Sequence, residues 1–269
     1  MVAEYDPWAR WYDLIQPGLP GEAEFYVYEA ALRRAPTLEL GCGTGRICIP
    51  MAMSGVDVTG LDISSAMLDL CAEKLEAVSP VKGRLRLVEG DMRAFRLRRK
   101  FDLIVMPYRS FMHCLTVEDQ LASLRCVREH LAPGGEFILN MWAATPAELN
   151  QLHERPRQGP LTTRAIHVVS RAGATVTHHA DSWRDDYAQL LHETHRVVEK
   201  TPGGRVRFDE RMTLTRTWIT HREMEHLAAR TDLRVKAVYG SFDGEAFGPG
   251  ATEMIWRLGG LNPDREMQT

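Results

Sequence analysis

Cysteine is scarce in these 269 residues: Cys42, Cys48, Cys71, Cys114 and Cys126 are an odd set, and no two form a CxxC pair. Lying mostly inside apolar segments, they read as reduced, buried thiols of a cytoplasmic protein. No apolar run approaches the ~20 residues needed to span a bilayer, and the N-terminal "MVAEYDPWARWYDLIQPG" has no basic leader before an apolar core. No signal peptide and no membrane partner are therefore expected. An excess of positive charge is missing too: Lys+Arg 33 against Asp+Glu 36 gives −3, which disfavours a protein built to coat nucleic acid. The locally basic stretch from Lys82 to Lys100 reads as a solvated face. No GxSxG elbow and no GxxxxGK[ST] loop occurs, leaving serine-hydrolase and NTP-hydrolase readings without support. The histidines lack ligand spacing. His192 and His195, like His178 and His179, point to opposite faces of a strand, and His221 and His226 miss the i, i+4 register of a zinc helix. No metal is expected.

What is present is an ordinary globular composition, 44% hydrophobic and 26% charged, in a chain long enough for one large domain with a lid. Strand and helix patterns alternate through the first half. Thr37–Leu40 is followed by a glycine loop and a helical stretch at 46–54. "VDVTGLDIS" (56–64) precedes a helix that Ser64 or Ser65 caps. "RLRLVEGDM" (84–92) alternates as a half-buried strand does. "FDLIVM" (101–106) is a continuous apolar run, and a helix ending at "APGG" leads into a fifth strand at 136–141. This alternation predicts a doubly wound, mostly parallel α/β sheet. Between about 162 and 218 the pattern becomes β-rich, with turns at 171–173, 184–186 and 201–204. That segment predicts three or four antiparallel strands inserted as a lid. The expected division is a main domain over 1–144 and 219–260, an insert over 145–218 and a flexible tail over 261–269. An exposed antiparallel edge in the insert offers pairing into a homodimer.

The chemistry gathers at the strand ends. Gly41, Gly43 and Gly45 follow a strand directly and open a helix, but Arg46 stands where a dinucleotide GxGxxG fingerprint needs its third glycine. Glu39, just before the loop, points to a cation nearby. Asp62, about twenty residues on, ends the second strand where a carboxylate accepts both ribose hydroxyls of an adenosine. Asp91 ends the third strand, placed for the exocyclic amine of adenine, with Met92 beside it to pack on the base.

With these residues in this order, "ELGCGTGR", "GLDIS", "GDMRAF", "FDLIVM" and "LAPGGEFIL", the chain resembles the class I S-adenosylmethionine-dependent methyltransferases from Thr37 to Trp142. "VYGSFDGEAF" and "TEMIWRL" look like that family's last two strands. The resemblance implies a Rossmann-like, seven-stranded sheet with the last strand antiparallel, and an adenosylmethionine site. In it Glu39 lies near the methionine ammonium, Gly41 and Gly43 carry the backbone against the cofactor, and Asp62 holds the ribose. Ile63 and Met92 sandwich adenine, Asp91 meets its N6 amine, and Met106 lends a carbonyl to the methionine amine. Cys42, Arg46 and Met67 complete the expected cofactor set. An N-terminal helix closing over the cofactor makes Tyr12 a further candidate.

The acceptor is less legible. After the fourth strand stands Met106-Pro107-Tyr108-Arg109, without the amide or carboxylate of an [DNS]-P-P-[YF] motif that would orient a planar nitrogen. Tyr108 and His113 are the catalytic candidates, His113 as the group able to take a proton. Tyr5, Arg109, Trp142, Trp183 and Arg216 are the candidates for binding the acceptor. The expected function is N- or O-methylation of a small molecule, as in the amino-sugar N-methyltransferases that carry similar inserts. The alternatives are an RNA- or protein-directed methyltransferase, or a non-catalytic adenosylmethionine-binding protein.

Overall fold

The four residues Thr37–Leu40 are buried without exception, as a strand in the middle of a parallel sheet must be. The computed structural model describes residues 4–152, 154, 166–169 and 173–260. In chain order, a 3-10 turn at Asp6–Trp11 precedes α1 (Tyr12–Ile15), α2 (Glu22–Arg33), β1 (Thr37–Leu40), α3 (Cys48–Met53), β2 (Asp57–Asp62) and α4 (Ser65–Val78). Then come β3 (Arg84–Glu89), β4 (Phe101–Met106), a 3-10 turn at Ser110–His113, α5 (Val117–His130), β5 (Leu131–Trp142) and α6 (Pro146–Leu149). Strands β6 (Ile166–Val169), β7 (Thr175–Asp185), β8 (Leu190–Lys200) and β9 (Val206–Thr217) follow. The chain closes with α7 (His221–Ala229), β10 (Leu233–Tyr239) and β11 (Glu253–Gly260). The flexible tail expected over 261–269 lies outside the described residues, as does much of the segment read as the first strand of the insert.

One unit, Gly18–Ala143 with Ile219 onward, holds a seven-stranded sheet in the order β10-β11-β5-β4-β1-β2-β3. Strand β11 runs antiparallel to both β10 and β5, and the other pairings are parallel. The expected Rossmann-like sheet with its last strand antiparallel is therefore present. The order reverses between β1 and β4, which opens a crevice beyond their carboxyl ends where such sheets take ligands. Ser64 caps α4, its Oγ accepting from the Met67 N–H at 3.1 Å, and this fixes where the helix leaves β2. Strand β5 begins at Leu131, earlier than the expected 136, with a register irregularity opposite Phe101 and Leu103.

Helix α2 was not foreseen, and it carries much of the site. Its C-terminal end is pinned to the sheet by charge. Arg33 pairs with Glu29 at 2.6 Å and with Glu136, and Arg257 reaches Glu29 at 3.1 Å and Glu136 at 2.7 Å. Tyr26 and Ala30, one turn apart, face the core with Met51, Val105 and Ile138.

The other unit, residues 1–17 with Ala144–Trp218, holds the antiparallel sheet β6-β7-β8-β9. Among the described residues, 4–17 group with this sheet. Ile15 packs on Val176, Val197, Met212 and Leu214, with Trp11 and Leu14 beside it. These side chains cover one face of the insert sheet, which is where their apolar area leaves water.

On that covered face His178 and His195 are both buried, their rings within 6° of parallel and His178 Nε2 2.9 Å from His195 Nδ1. Burial and then the neighbouring His195 push the His178 ring down to about 4, and burial lowers His195 as well. The unfolded chain protonates His178 near 6.5, whereas the folded insert resists until about 4. Stability present above 6.5 is therefore lost progressively as pH falls through this window. We expect the thermal midpoint to drop between neutral pH and pH ~4.5, by at most about 3 kcal/mol of stability, and to drop less in His178→Asn. Parallel pH profiles of the two proteins would show the histidine pair to be irrelevant.

Candidate active site

The glycine loop owes its shape to β2. The Gly41 and Cys42 N–H groups both donate to the Leu61 carbonyl, at 2.8 and 3.0 Å. Asp62, at the end of β2, accepts the Gly43 N–H on Oδ2 at 2.7 Å and the Ser64 N–H on Oδ1 at 2.9 Å. Gly41 leaves room for Ser110, whose Oγ lies 2.9 Å from where a Cβ would stand, and for Met92 at 3.9 Å. Gly43, at φ +52, faces open space. Ile63 follows Asp62 with 47% of its surface exposed, unusual for an isoleucine beside a core strand. Met67, Met106 and Cys42 are buried.

Glu39 is 3% exposed, and its Oε2 has no hydrogen-bond partner among the described residues. Burial pushes this carboxyl well above the usual range. Arg46 opposes that shift, while Cys71, Glu22 and Asp62 add to it. An orphaned buried carboxylate is costly unless a donor or cation meets it. Asp91 is placed at its strand end as expected, but its carboxylate is gripped by Arg93, with Nε at 2.9 Å, Nη2 at 2.6 Å and the backbone N–H at 2.8 Å. Those hydrogen bonds hold Asp91 below its ordinary value against the effect of burial.

Beyond β4 the backbone is strained: Tyr108 (φ 54) and Arg109 (φ 63) are consecutive non-glycine residues in the left-handed region. Each such residue costs on the order of 1–3 kcal/mol, sustained only when its surroundings over-determine it. The surroundings do so. The Tyr108 N–H donates to Glu22 Oε1 at 2.8 Å, and the Arg46 guanidinium lies 4.4 Å over the Tyr108 ring. Arg109 donates to Glu253 Oε1 from Nε at 2.9 Å and also from Nη2. Glu253 Oε2 accepts from Asn140 Nδ2 at 2.9 Å, and Asn140 Oδ1 accepts from the Tyr26 hydroxyl at 3.0 Å. Burial lifts Glu253 above the ordinary carboxylate range despite Arg109, and burial with Glu22, Glu253 and Glu39 nearby lifts the Tyr26 phenol. His113 ends the 3-10 turn, half-buried. Trp142, ending β5, is half-buried as well.

The parallel unit thus gathers Glu39, Gly41, Cys42, Gly43, Arg46, Asp62, Ile63, Asp91, Met92, Met106, Tyr108, Arg109 and His113 at the carboxyl ends of β1, β2, β3 and β4. Tyr5 and Tyr12 stand in the insert unit, edge to face at 5.7 Å. Arg216 and Glu193 join them there, paired at 2.8 Å and both acting on the Tyr5 phenol, which burial lifts well above its ordinary value. Trp183 and Arg216 do not line one wall. Trp183 stands opposite His192 and stacks on it at 4.0 Å, whereas Arg216 stands opposite Leu191. The alternation of the strands therefore puts Trp183 and Arg216 on opposite faces of the sheet. Sequence reading missed Glu22, Tyr26, Ser110, Asn140, Glu193 and Glu253. The spacing of Glu22, Tyr26 and Glu29 with buried Ala30 was the available signal: polar residues placed on the apolar face of a helix.

A glycine loop ordered by Asp62, the buried Glu39 and the exposed Ile63 thus stand together at the carboxyl ends of a parallel α/β sheet. The comparisons identify the class. A methyltransferase-domain family model matches residues 37–135. The chain is 30% identical to a dTDP-3-amino-3,4,6-trideoxy-alpha-D-glucopyranose N,N-dimethyltransferase of Streptomyces venezuelae, over 77% of this chain and 78% of that one. It is 28% identical to a cypemycin N-terminal methyltransferase of a Streptomyces species, over 91% and 92%. The crystal structure of an S-adenosylmethionine-dependent methyltransferase from Clostridium acetobutylicum shares the fold, with TM-score 0.74 and 17% identity over 96% of this chain and 99% of that one. The chain belongs to the class I S-adenosylmethionine-dependent methyltransferases: it is an enzyme, and its cofactor is S-adenosylmethionine. None of its described helices is long and apolar enough to cross a membrane.

Proposed function

We propose that the enzyme methylates the amine nitrogen of a small molecule. The carrying observation is the pairing of charge at the rim. The guanidiniums of Arg46 and Arg109 are each taken by a buried carboxylate, Glu22 and Glu253. Neither is therefore presented to an acceptor's anion, and with Asp62 the carboxylates outnumber the guanidiniums. That balance suits a cofactor and an acceptor that are both cationic. The two curated relatives, named for a sugar amine and a peptide N-terminus, support the same atom type.

In this reading Asp62 holds the ribose, Ile63 and Met92 flank adenine, and Glu39 with the Met106 carbonyl receives the methionine end, while Asp91 is held by Arg93. When bound, the cofactor supplies an electrophilic methyl on a sulfonium. The chain's own work is then alignment, exclusion of water and removal of a proton. In this reading His113 would take the proton that the acceptor ammonium must lose before its nitrogen has a lone pair to offer, and Tyr108 would orient the amine. The N-terminal methyltransferase relative favours one second reading, a peptide N-terminal amine.

A panel of amino sugars, their hydroxyl counterparts and short peptides separates these outcomes. Turnover is expected on sugar amines, with a large rate loss but unchanged cofactor affinity in His113→Ala. Turnover on peptides alone would transfer the assignment to the second reading. Methylation of the hydroxyl series would overturn the amine claim, and undiminished rate in His113→Ala would return that residue to packing.

A further inference from the structure

Helix α2 buries a carboxylate that the cofactor motifs do not account for. Glu22 is 0% exposed, and each oxygen is used. Oε1 accepts the Tyr108 N–H at 2.8 Å, across 86 residues of sequence. Oε2 accepts Arg46 Nη1 at 2.6 Å and the Leu19 N–H at 3.4 Å. One carboxylate therefore joins the residue that follows the glycine loop to the strained turn that follows β4. The surrounding chain is shaped to let Arg46 arrive: a Cβ on Gly18 would collide with the Arg46 guanidinium. Arg46 in turn lies over the Tyr108 ring, so each of the three residues contacts the other two. Such a contact does not serve packing alone, because a buried ion pair is often worth no more to stability than well-packed apolar side chains of similar volume. It holds Tyr108 in a backbone conformation the residue would otherwise leave.

We propose that Glu22 is a positioning residue for methyl transfer. It fixes the Tyr108 turn against Arg46, so that the acceptor-facing turn and the cofactor loop keep one relative placement. The inference rests on the methyltransferase reading of this site. It acts through Tyr108 and Arg46, and Glu22 itself touches neither substrate.

The test is a double-mutant cycle with Glu22→Gln and Arg46→Met, read as kcat and as KM for adenosylmethionine and acceptor. Glutamine keeps the volume and one acceptor oxygen but loses the charge that holds Arg46. Glu22→Gln is expected to lower kcat by about 30-fold, with acceptor KM changed by less than about threefold. Arg46→Met should lower kcat similarly, and the double variant should fall no more than about threefold further, because the residues act as a unit. A folded Glu22→Gln protein with kcat within about threefold of wild type would overturn the proposal, as would multiplicative losses in the double variant. Should Glu22→Gln not fold, Arg46→Met alone still decides: a kcat loss without a matching rise in acceptor KM supports the proposal, and an unchanged kcat rejects it. Failure of the underlying reading shows separately, as wild-type protein that neither binds adenosylmethionine nor transfers methyl.

Discussion

Asp62→Ala is expected to weaken adenosylmethionine and adenosylhomocysteine binding about 100-fold or more, close to 2.7 kcal/mol, with the fold retained. The magnitude follows from what the carboxylate does. It orders the loop by accepting the Gly43 N–H at 2.7 Å, and in the proposed reading it also holds the ribose hydroxyls. Each hydrogen bond to a charged group is worth about 1.5–3 kcal/mol. Removal also leaves the Gly43 and Ser64 N–H groups to find water. Asp62 is only partly buried and shapes no core, so loss of affinity should come without loss of cooperative unfolding. Titration calorimetry with both ligands checks this. An affinity within a factor of about three of wild type would mean that the loop does not hold the adenosine as described.

The second large effect separates two glycines of one loop. At Gly45, φ +86, a Cβ would stand 2.5 Å from Cys71 Sγ and 2.7 Å from Ile49 Cδ1, because α3 packs against α4 at that point. Gly45→Val adds about 1–2 kcal/mol of left-handed strain to about 1–3 kcal/mol of overpacking. At roughly 2–4 °C per kcal/mol for a unit of this size, the midpoint should fall about 10 °C. At Gly43, φ +52, a Cβ meets nothing within 4 Å. Gly43→Val should therefore lower the midpoint by only a few degrees, on the order of 1–2 kcal/mol of strain. It should nevertheless abolish cofactor binding, since its side chain fills the space the loop keeps open. Thermal scans and calorimetry on the pair test the contrast. Equal midpoint losses, or a Gly43→Val protein that binds normally, would contradict the assignment of those two roles.

The parts legible from sequence were those whose signal is local. A strand running into alternate glycines, and carboxylates at the ends of the next two strands, lie within a few residues of the elements that present them. Glu39, Gly43 and Asp62 could be placed in this way. The polar framework beneath them could not. Glu22 reaches Tyr108 across 86 residues and Arg109 reaches Glu253 across 144, and no spacing rule carries a pairing that long. Arg109 illustrates the consequence: it reads as an acceptor ligand from its neighbours, yet Glu253 occupies it. Trp183 and Arg216 illustrate another. Both fall in the insert, and only the register of β7, β8 and β9 shows that they face opposite ways. The N-terminal segment was read by its aromatic character, whereas Trp11, Leu14 and Ile15 are placed by the apolar face of the insert sheet.

The most direct test of the account is to follow a labelled methyl group from adenosylmethionine into the acceptor by nuclear magnetic resonance, with adenosylhomocysteine measured alongside. The account predicts label on the amine nitrogen of a small molecule and one adenosylhomocysteine formed for each methyl transferred. Label on oxygen, or cofactor binding with no labelled product from any amine in the panel, would contradict it.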